Sequence, residues 1–169
     1  MKVISACLSL LVLSSVSFAG DGPSNSSITK QKSSECVLRV VQYFELQEGQ
    51  TKDFSGTTNG EKCGFSIRHV NKILDSYEER SFHIKLNNPE SGRYIWADMY
   101  STETDVDYNI SACEIQNESL KVEYTAKDKY KWKVKRKFAL DFSKEGVSLS
   151  EKESGIWITK SSSKLNCQF

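Results

Sequence analysis

The chain has 169 residues, of which 38% are hydrophobic, with 23 Lys and Arg set against 22 Asp and Glu and five cysteines. A formal net charge of +1 excludes global steering toward nucleic acid or an anionic membrane, so a charged partner has to be selected by a local patch. This length suits one domain around a single core rather than two.

Met1-Lys2 is followed by an apolar stretch from Val3 to Val16, and Ser17 and Ala19 place small residues just before Gly20. A short basic start, a short apolar segment and small residues ahead of a cleavage point define a secretory signal peptide over residues 1–19. Cys7 precedes most of the apolar segment, so it does not form a lipoprotein box. No other stretch approaches the roughly 18 to 20 apolar residues of a spanning helix, and no transmembrane helix is expected. Without residues 1–19 the chain keeps 150 residues, with 22 basic and 22 acidic side chains.

Residues 20–35 hold Ile28 as their one aliphatic residue of note. Such a segment buries too little apolar surface to offset its ordering entropy and reads as a flexible polar leader. A single all-β domain is then expected over residues 36–169.

The dominant signal from Cys36 onward has period two. Leu38, Val40, Phe44 and Leu46 share one face and Val37, Val41 and Tyr43 the other, which predicts a central strand covered on both sides. Residues 47–64 are rich in Gly, Thr, Asn and Asp and read as a loop, with a short strand at Thr51 to Gly56. Phe65, Ile67 and His69 line one face, and Ile73, Leu74 and Tyr77 have the spacing of a helical turn or two. Phe82, Ile84 and Leu86 alternate with His83 and Lys85 until Asn87-Asn88-Pro89 stops them with turn chemistry. A strand follows from Arg93 to Tyr100. Two more follow, on Val106, Tyr108, Ile110 and Ala112 and on Leu120, Val122, Tyr124 and Ala126.

The clearest strand is Tyr130 to Phe142. Tyr130, Trp132, Val134, Phe138, Leu140 and Phe142 fall on its even face, and Lys131, Lys133, Lys135 and Lys137 on its odd face. Shorter strands are expected around Val147 and Leu149, around Ile156 and Ile158, and around Leu165, Cys167 and Phe169. Together these predict an all-β fold, a small antiparallel barrel or sandwich of about eight to ten strands.

Beyond the signal peptide the cysteines are Cys36, Cys63, Cys113 and Cys167. Delivered to an oxidising compartment, they predict two disulfides. Their spacing lacks any Cys-x-x-Cys, so no metal site is expected of them. Four cysteines permit three pairings. If Thr51 to Gly56 is a return strand, Cys36 and Cys63 start strands at the same end of the sheet, while Cys113 and Cys167 both lie late in theirs. The expected pairs are therefore Cys36 with Cys63 and Cys113 with Cys167.

No motif fixes a reaction. His69 and His83 are the two histidines. His69 shares a face with Phe65 and Ile67 and reads as a hydrogen-bonded core or rim residue, and His83 as a solvated one. No His-Glu-x-x-His, phosphate loop, Gly-x-Ser-x-Gly or dinucleotide fingerprint occurs, so neither enzyme chemistry nor a cofactor is expected. Glu103, Asp105, Asp107 and Asn109, and the run from Asp53 to Glu61, offer oxygen ligands but lack the Gly and bidentate Glu positions of a calcium loop. Acceptor sequons begin at Asn25, Asn109 and Asn117.

Two features can bind. Lys131, Lys133, Lys135 and Lys137 form a ladder suited to phosphate or sulfate groups. The aromatic residues alternate onto its opposite face, so they cannot stack bases held by the lysines, and no nucleic acid partner is expected. Tyr94, Trp96 and Tyr100 share a face that can stack on sugar rings or line a pocket. The expected function is a secreted or periplasmic non-enzymatic module for a protein or an anionic glycan. A lipocalin-like carrier of an apolar ligand is one alternative, with Tyr94, Trp96, Trp132 and Phe138 around a cavity. The other is a small eight-stranded outer-membrane barrel.

Overall fold

The computed structural model describes residues 25–74, 77–100, 105–129, 134–155 and 160–169. One helix, α1 (Asn25–Tyr43), precedes nine strands: β1 (Thr51–Thr58), β2 (Glu61–Leu74), β3 (Tyr77–Asn88), β4 (Arg93–Tyr100), β5 (Val106–Gln116), β6 (Ser119–Asp128), β7 (Lys135–Ser143), β8 (Gly146–Ser154) and β9 (Ser161–Gln168). The strands form one antiparallel sheet in the order β4-β3-β2-β1-β9-β8-β7-β6-β5. Two meanders, β1 to β4 and β5 to β9, are thus joined where the last strand meets the first. The all-β expectation is met by a single open sheet with edges β4 and β5.

The helix replaces two expectations. Residues 25–35 were expected in a flexible leader and residues 38–46 in a central strand, yet α1 runs through both up to Tyr43. The reason is a stripe at helical spacing: Ser33, Cys36, Val37, Val40 and Phe44 are all buried. Val41, Tyr43 and Leu38 flank that stripe and supplied the false alternation. At its C-terminus Glu45 adopts the left-handed conformation (φ 50°). Glu45 N–H donates to Gln42 O, and Leu46 N–H to Val41 O, closing the helix in a Schellman pattern without the usual glycine.

β1 and β2 form a hairpin where a loop was expected. Asn59 and Gly60 both have positive φ (53° and 84°), as a two-residue type I′ turn requires. Ile73, Leu74 and Tyr77, whose spacing suggested a helical turn, instead end β2 and open β3, with Leu74 paired to Tyr77; residues 75–76 lie outside the described residues. Lys135 opens β7, and Asp128 N–H donates to Val134 O just ahead of it. Residues 130–133, the first part of the long strand expected there, lie outside the described residues.

Alternation decides which face is inner. Phe65, Ile67, Phe82, Ile84, Leu86, Ile95, Ala97 and Met99 from the first meander are buried together with Leu120, Val122, Tyr124, Phe138, Leu140, Phe142 and Leu149 from the second. The sheet curls back on itself, bringing β3 and β4 against β9 and β4 against β8. Tyr124 on β6 reaches across the interior to donate its hydroxyl to Asp98 O on β4 at 2.8 Å. The helix contacts β5, β3 and β4, so it covers the gap between the two edges, where unpaired backbone groups would otherwise invite another chain. Phe44 plugs the interior among Phe54, Phe65 and Phe142, with its centroid 4.7 Å from that of Phe142.

The disulfides are Cys36–Cys113 and Cys63–Cys167, which overturns both expected pairs. Because Cys36 sits on a helix rather than at the start of a strand, it meets β5 and not β2. The other bond staples the two meanders. β1 and β9 share a single paired position, Thr57 with Gln168, and the Cys63–Cys167 bridge runs from β2 to β9 past the intervening β1. Gly56, directly opposite Cys63, makes that passage possible: a Cβ there would collide with the carbonyl oxygen of Gln168 and lie 3.1 Å from Cys167 Sγ.

Candidate functional site

The lysine ladder becomes a two-dimensional patch once the strands pair. On the outer face of β6 to β8, Lys127 lies directly opposite Lys135, and Lys135 opposite Ser154. In the next row Thr125 faces Lys137, Lys137 faces Lys152, and Lys152 faces Ser162 on β9. Lys127, Lys135, Lys137 and Lys152 are all exposed. With Lys160 and the hydroxyl-bearing Ser154 and Ser162, three of these lysines line a surface cleft of about 480 Å³. Lys131 and Lys133 lie outside the described residues, and so does Trp132. From Lys135 on, the alternation holds, with Lys135 and Lys137 exposed and Phe138 and Leu140 buried, whereas Val134, expected in the buried set, is half-buried and precedes β7.

Among the described residues no carboxylate pairs with Lys127, Lys135, Lys137 or Lys152. The nearest acids on β8 are engaged elsewhere: Arg136 Nε lies 3.6 Å from Glu153 and 3.9 Å from Glu151. Glu153 borders the cleft, but its charge is shared with that guanidinium. Burial raises the pKa of Glu151, and Arg136 moderates the shift. The acidic charge of β8 is thereby diverted from the lysines.

A second constellation lies on the outer face of the first meander. Register places Thr51 (β1) opposite Arg68 (β2), Arg68 opposite His83 (β3) and His83 opposite Asp98 (β4). The adjacent row runs Asp53, Ser66, Lys85, Trp96. Nδ1 of His83 is 2.6 Å from Asp98 Oδ1, and the indole Nε1 of Trp96 donates to the same oxygen at 2.7 Å. The Asp98 oxygen accepts from His83 Nδ1–H, and Nε2 lies outside that pair. Thr51, Ser66, Arg68, His83, Lys85 and Trp96 line a cleft of about 280 Å³.

The three aromatic candidates separate. Tyr94 and Trp96 are 67% and 50% exposed. Tyr100 is half-buried and meets the His83 ring edge-on at 5.5 Å. Together with Trp96 and Asp98 it borders another cleft of about 370 Å³, toward Tyr108, Arg136 and Phe138.

His69 lies on the inner face of β2 opposite Phe82 and is only 9% exposed. Among the described residues neither ring nitrogen has a partner within ordinary hydrogen-bond geometry. Burial lowers its pKa, and the backbone of Gln47 moderates the shift. His83, expected in solvent, is instead half-buried and paired. Among the described residues no hydroxyl or thiol is bonded to its other ring nitrogen, and the Asp98 bond orients the imidazole. The four described cysteines are all oxidised, and no group of three or more His, Cys, Asp and Glu that could hold a metal ion gathers among the described residues. No described helix is long and apolar enough to cross a membrane.

Arg68, Lys85 and Asp98 escaped sequence reasoning because they sit on three strands and share no local motif. The available signal was the polar alternate of each strand, which becomes informative only when register aligns the strands. Comparison with protein-family models, with curated proteins and with solved structures finds no match to this chain.

Proposed function

We propose that this domain is a non-enzymatic binding module, working in a secreted or periplasmic setting, that holds an anionic glycan on the lysine face of β6 to β9. One observation carries the reading: Lys137 opposes Lys152 beside Lys127 opposing Lys135, with no carboxylate between them. Like charges directly opposite each other on a sheet are destabilising, and an anionic ligand removes that repulsion. Lysines two residues apart on a strand are roughly 7 Å apart, and neighbouring strands about 4.8 Å apart. The face therefore presents a lattice of ammonium groups, with serine hydroxyls as further donors, matched to repeated sulfate, phosphate or carboxylate groups.

The residue types favour a glycan over a protein. Protein interfaces are enriched in aromatic residues and Arg and depleted in Lys and Ser, and this face is built of Lys and Ser. A lipid-embedded barrel would need an outward apolar band, whereas these outward side chains are charged. The carrier alternative has the cleft beside Tyr100 and Phe138 in its favour, but Asp98, Asp128 and Arg136 also line it. Two disulfides are compatible with the secreted or periplasmic setting.

The test is retention on immobilised heparin along a salt gradient, with vesicles containing phosphatidylglycerol as the competing surface. The intact protein should bind heparin, elute as salt screens the lysines, and ignore the vesicles. Lys135→Glu combined with Lys137→Glu should abolish retention. Salt-insensitive retention, unchanged retention in that variant, or preference for the vesicles overturns the proposal.

A further inference from the structure

We infer that the outer face of β1 to β4 is a second, independent binding site, shaped for a single acidic sugar: a pyranose ring stacked on Trp96, its carboxylate held by Arg68 and Lys85.

Trp96 is half exposed, yet it is not a loose side chain. Its Nε1 is anchored to Asp98 Oδ1 at 2.7 Å, and the same oxygen meets His83 at 2.6 Å. The anchor fixes the plane of the indole and leaves apolar ring surface facing water, an arrangement that costs free energy unless a ligand covers it. The C–H face of a pyranose is such a cover. Stacking needs a ring held in place beforehand, and the Asp98 bond supplies that preorganisation.

Charge selects the rest of the ligand. Arg68 and Lys85 both point into the cleft beside Trp96, and among the described residues neither has a carboxylate partner. Asp98 is their nearest acid on β4, and its Oδ1 already accepts from two donors. Asp53, in the row of Lys85 and Trp96, stands two strands from Lys85. The guanidinium fork fits a carboxylate with two parallel hydrogen bonds. Arg68 and Trp96 are separated by β3, hence by two strand spacings of about 4.8 Å each. That gap accommodates a pyranose ring with the carboxylate on its C5 carbon. His83 Nε2, with the hydroxyls of Ser66 and Thr51, can then meet the ring hydroxyls. A cleft of about 280 Å³ lies at the small end of ligand pockets, which favours one sugar unit over a lipid or a large cofactor.

The test follows the Trp96 indole N–H resonance, assigned by its loss in Trp96→Phe, while glucuronate, glucose and inorganic phosphate are added to the full chain. Glucuronate should shift the resonance saturably. Glucose should bind about tenfold more weakly or not at all, because it lacks the charge-assisted pair. Arg68→Met and Lys85→Met should each weaken glucuronate about tenfold, while heparin retention stays unchanged in both. Lys135→Glu with Lys137→Glu should leave the glucuronate titration intact, so the two sites fail separately. Equal binding of glucose and glucuronate, no shift with glucuronate, or phosphate displacing glucuronate at equal concentration overturns the assignment.

Discussion

Cys36 in α1 is bonded to Cys113 in the edge strand β5, across 77 residues of chain. Three residues further along the helix, Arg39 Nη1 donates to the carbonyl of the same Cys113 at 2.8 Å. Covalent bond and hydrogen bond latch the helix to one lip of the open sheet. Non-reducing peptide mapping should therefore join Cys36 to Cys113 and Cys63 to Cys167. Cys36→Ala with Cys113→Ala should cost about 4 kcal/mol through the unfolded chain. Amide exchange should then rise first in β5. A peptide joining Cys36 to Cys63 would contradict the latch.

The passage of the second disulfide past β1 makes Gly56 a sensitive position. Gly56→Ala should destabilise the domain by about 2 kcal/mol, the cost of forcing a methyl group into a packed contact. Adding a methyl at Gly60 instead meets open space but a positive φ of 84°, so its penalty is conformational. Urea unfolding of Gly56→Ala, with and without reductant, distinguishes the two causes. If the clash is with the strand backbone of Gln168 rather than with the disulfide alone, reduction should not relieve it.

Buried His69 sets part of the pH dependence. Its folded pKa lies below the ordinary 6.5, first because burial disfavours the imidazolium and second because Arg80 lowers it, with Gln47 and Glu48 acting the other way. Between 6.5 and the lower folded value the unfolded chain binds the extra proton, so stability is full above that window and falls as pH drops through it. Glu151 has the opposite sense, since its raised pKa makes stability decline as pH rises past 4.5. In His69→Gln the Glu151 contribution is retained and the histidine contribution removed. Denaturant unfolding at pH 7.5 and pH 5.5 should show a smaller acid loss in the variant than in the intact protein. An equal or larger loss would contradict the assignment.

Lys137 opposite Lys152 predicts a trade between stability and binding. Lys137→Ser should stabilise the domain by about 0.5 kcal/mol by removing a directly opposed like charge, and it should elute from heparin at lower salt than the intact protein. The stabilisation should shrink in high salt as screening removes the same repulsion. A variant destabilised at low salt would show that the two ammonium groups do not repel.

Much of the sheet was legible because a strand with one buried face writes its period into the sequence. Phe82, Ile84 and Leu86, like Phe138, Leu140 and Phe142, can only alternate if one side is core. The cysteines and the signal-peptide pattern likewise implied two disulfides, but the pairs read from strand ends were wrong, because the helix at Cys36 was not seen. The Asn59-Gly60 pair carried a hairpin signal inside a stretch whose polarity read as loop. Residues 36–46 were ambiguous for a physical reason: with Val37, Leu38, Val40, Val41, Tyr43 and Phe44 all apolar, both the two-residue and the 3.6-residue periods are satisfied. Packing across the gap between β4 and β5 decided for the helix, and with it both disulfides. The sites depended on tertiary structure still more. Thr51, Arg68, His83 and Asp98 stand 15 to 17 residues apart in the chain and meet in one row only because three hairpin registers bring them level. A slip of one residue in any of them would turn that strand's polar groups into the core, so the chemistry of the face is a property of register, which no single strand encodes.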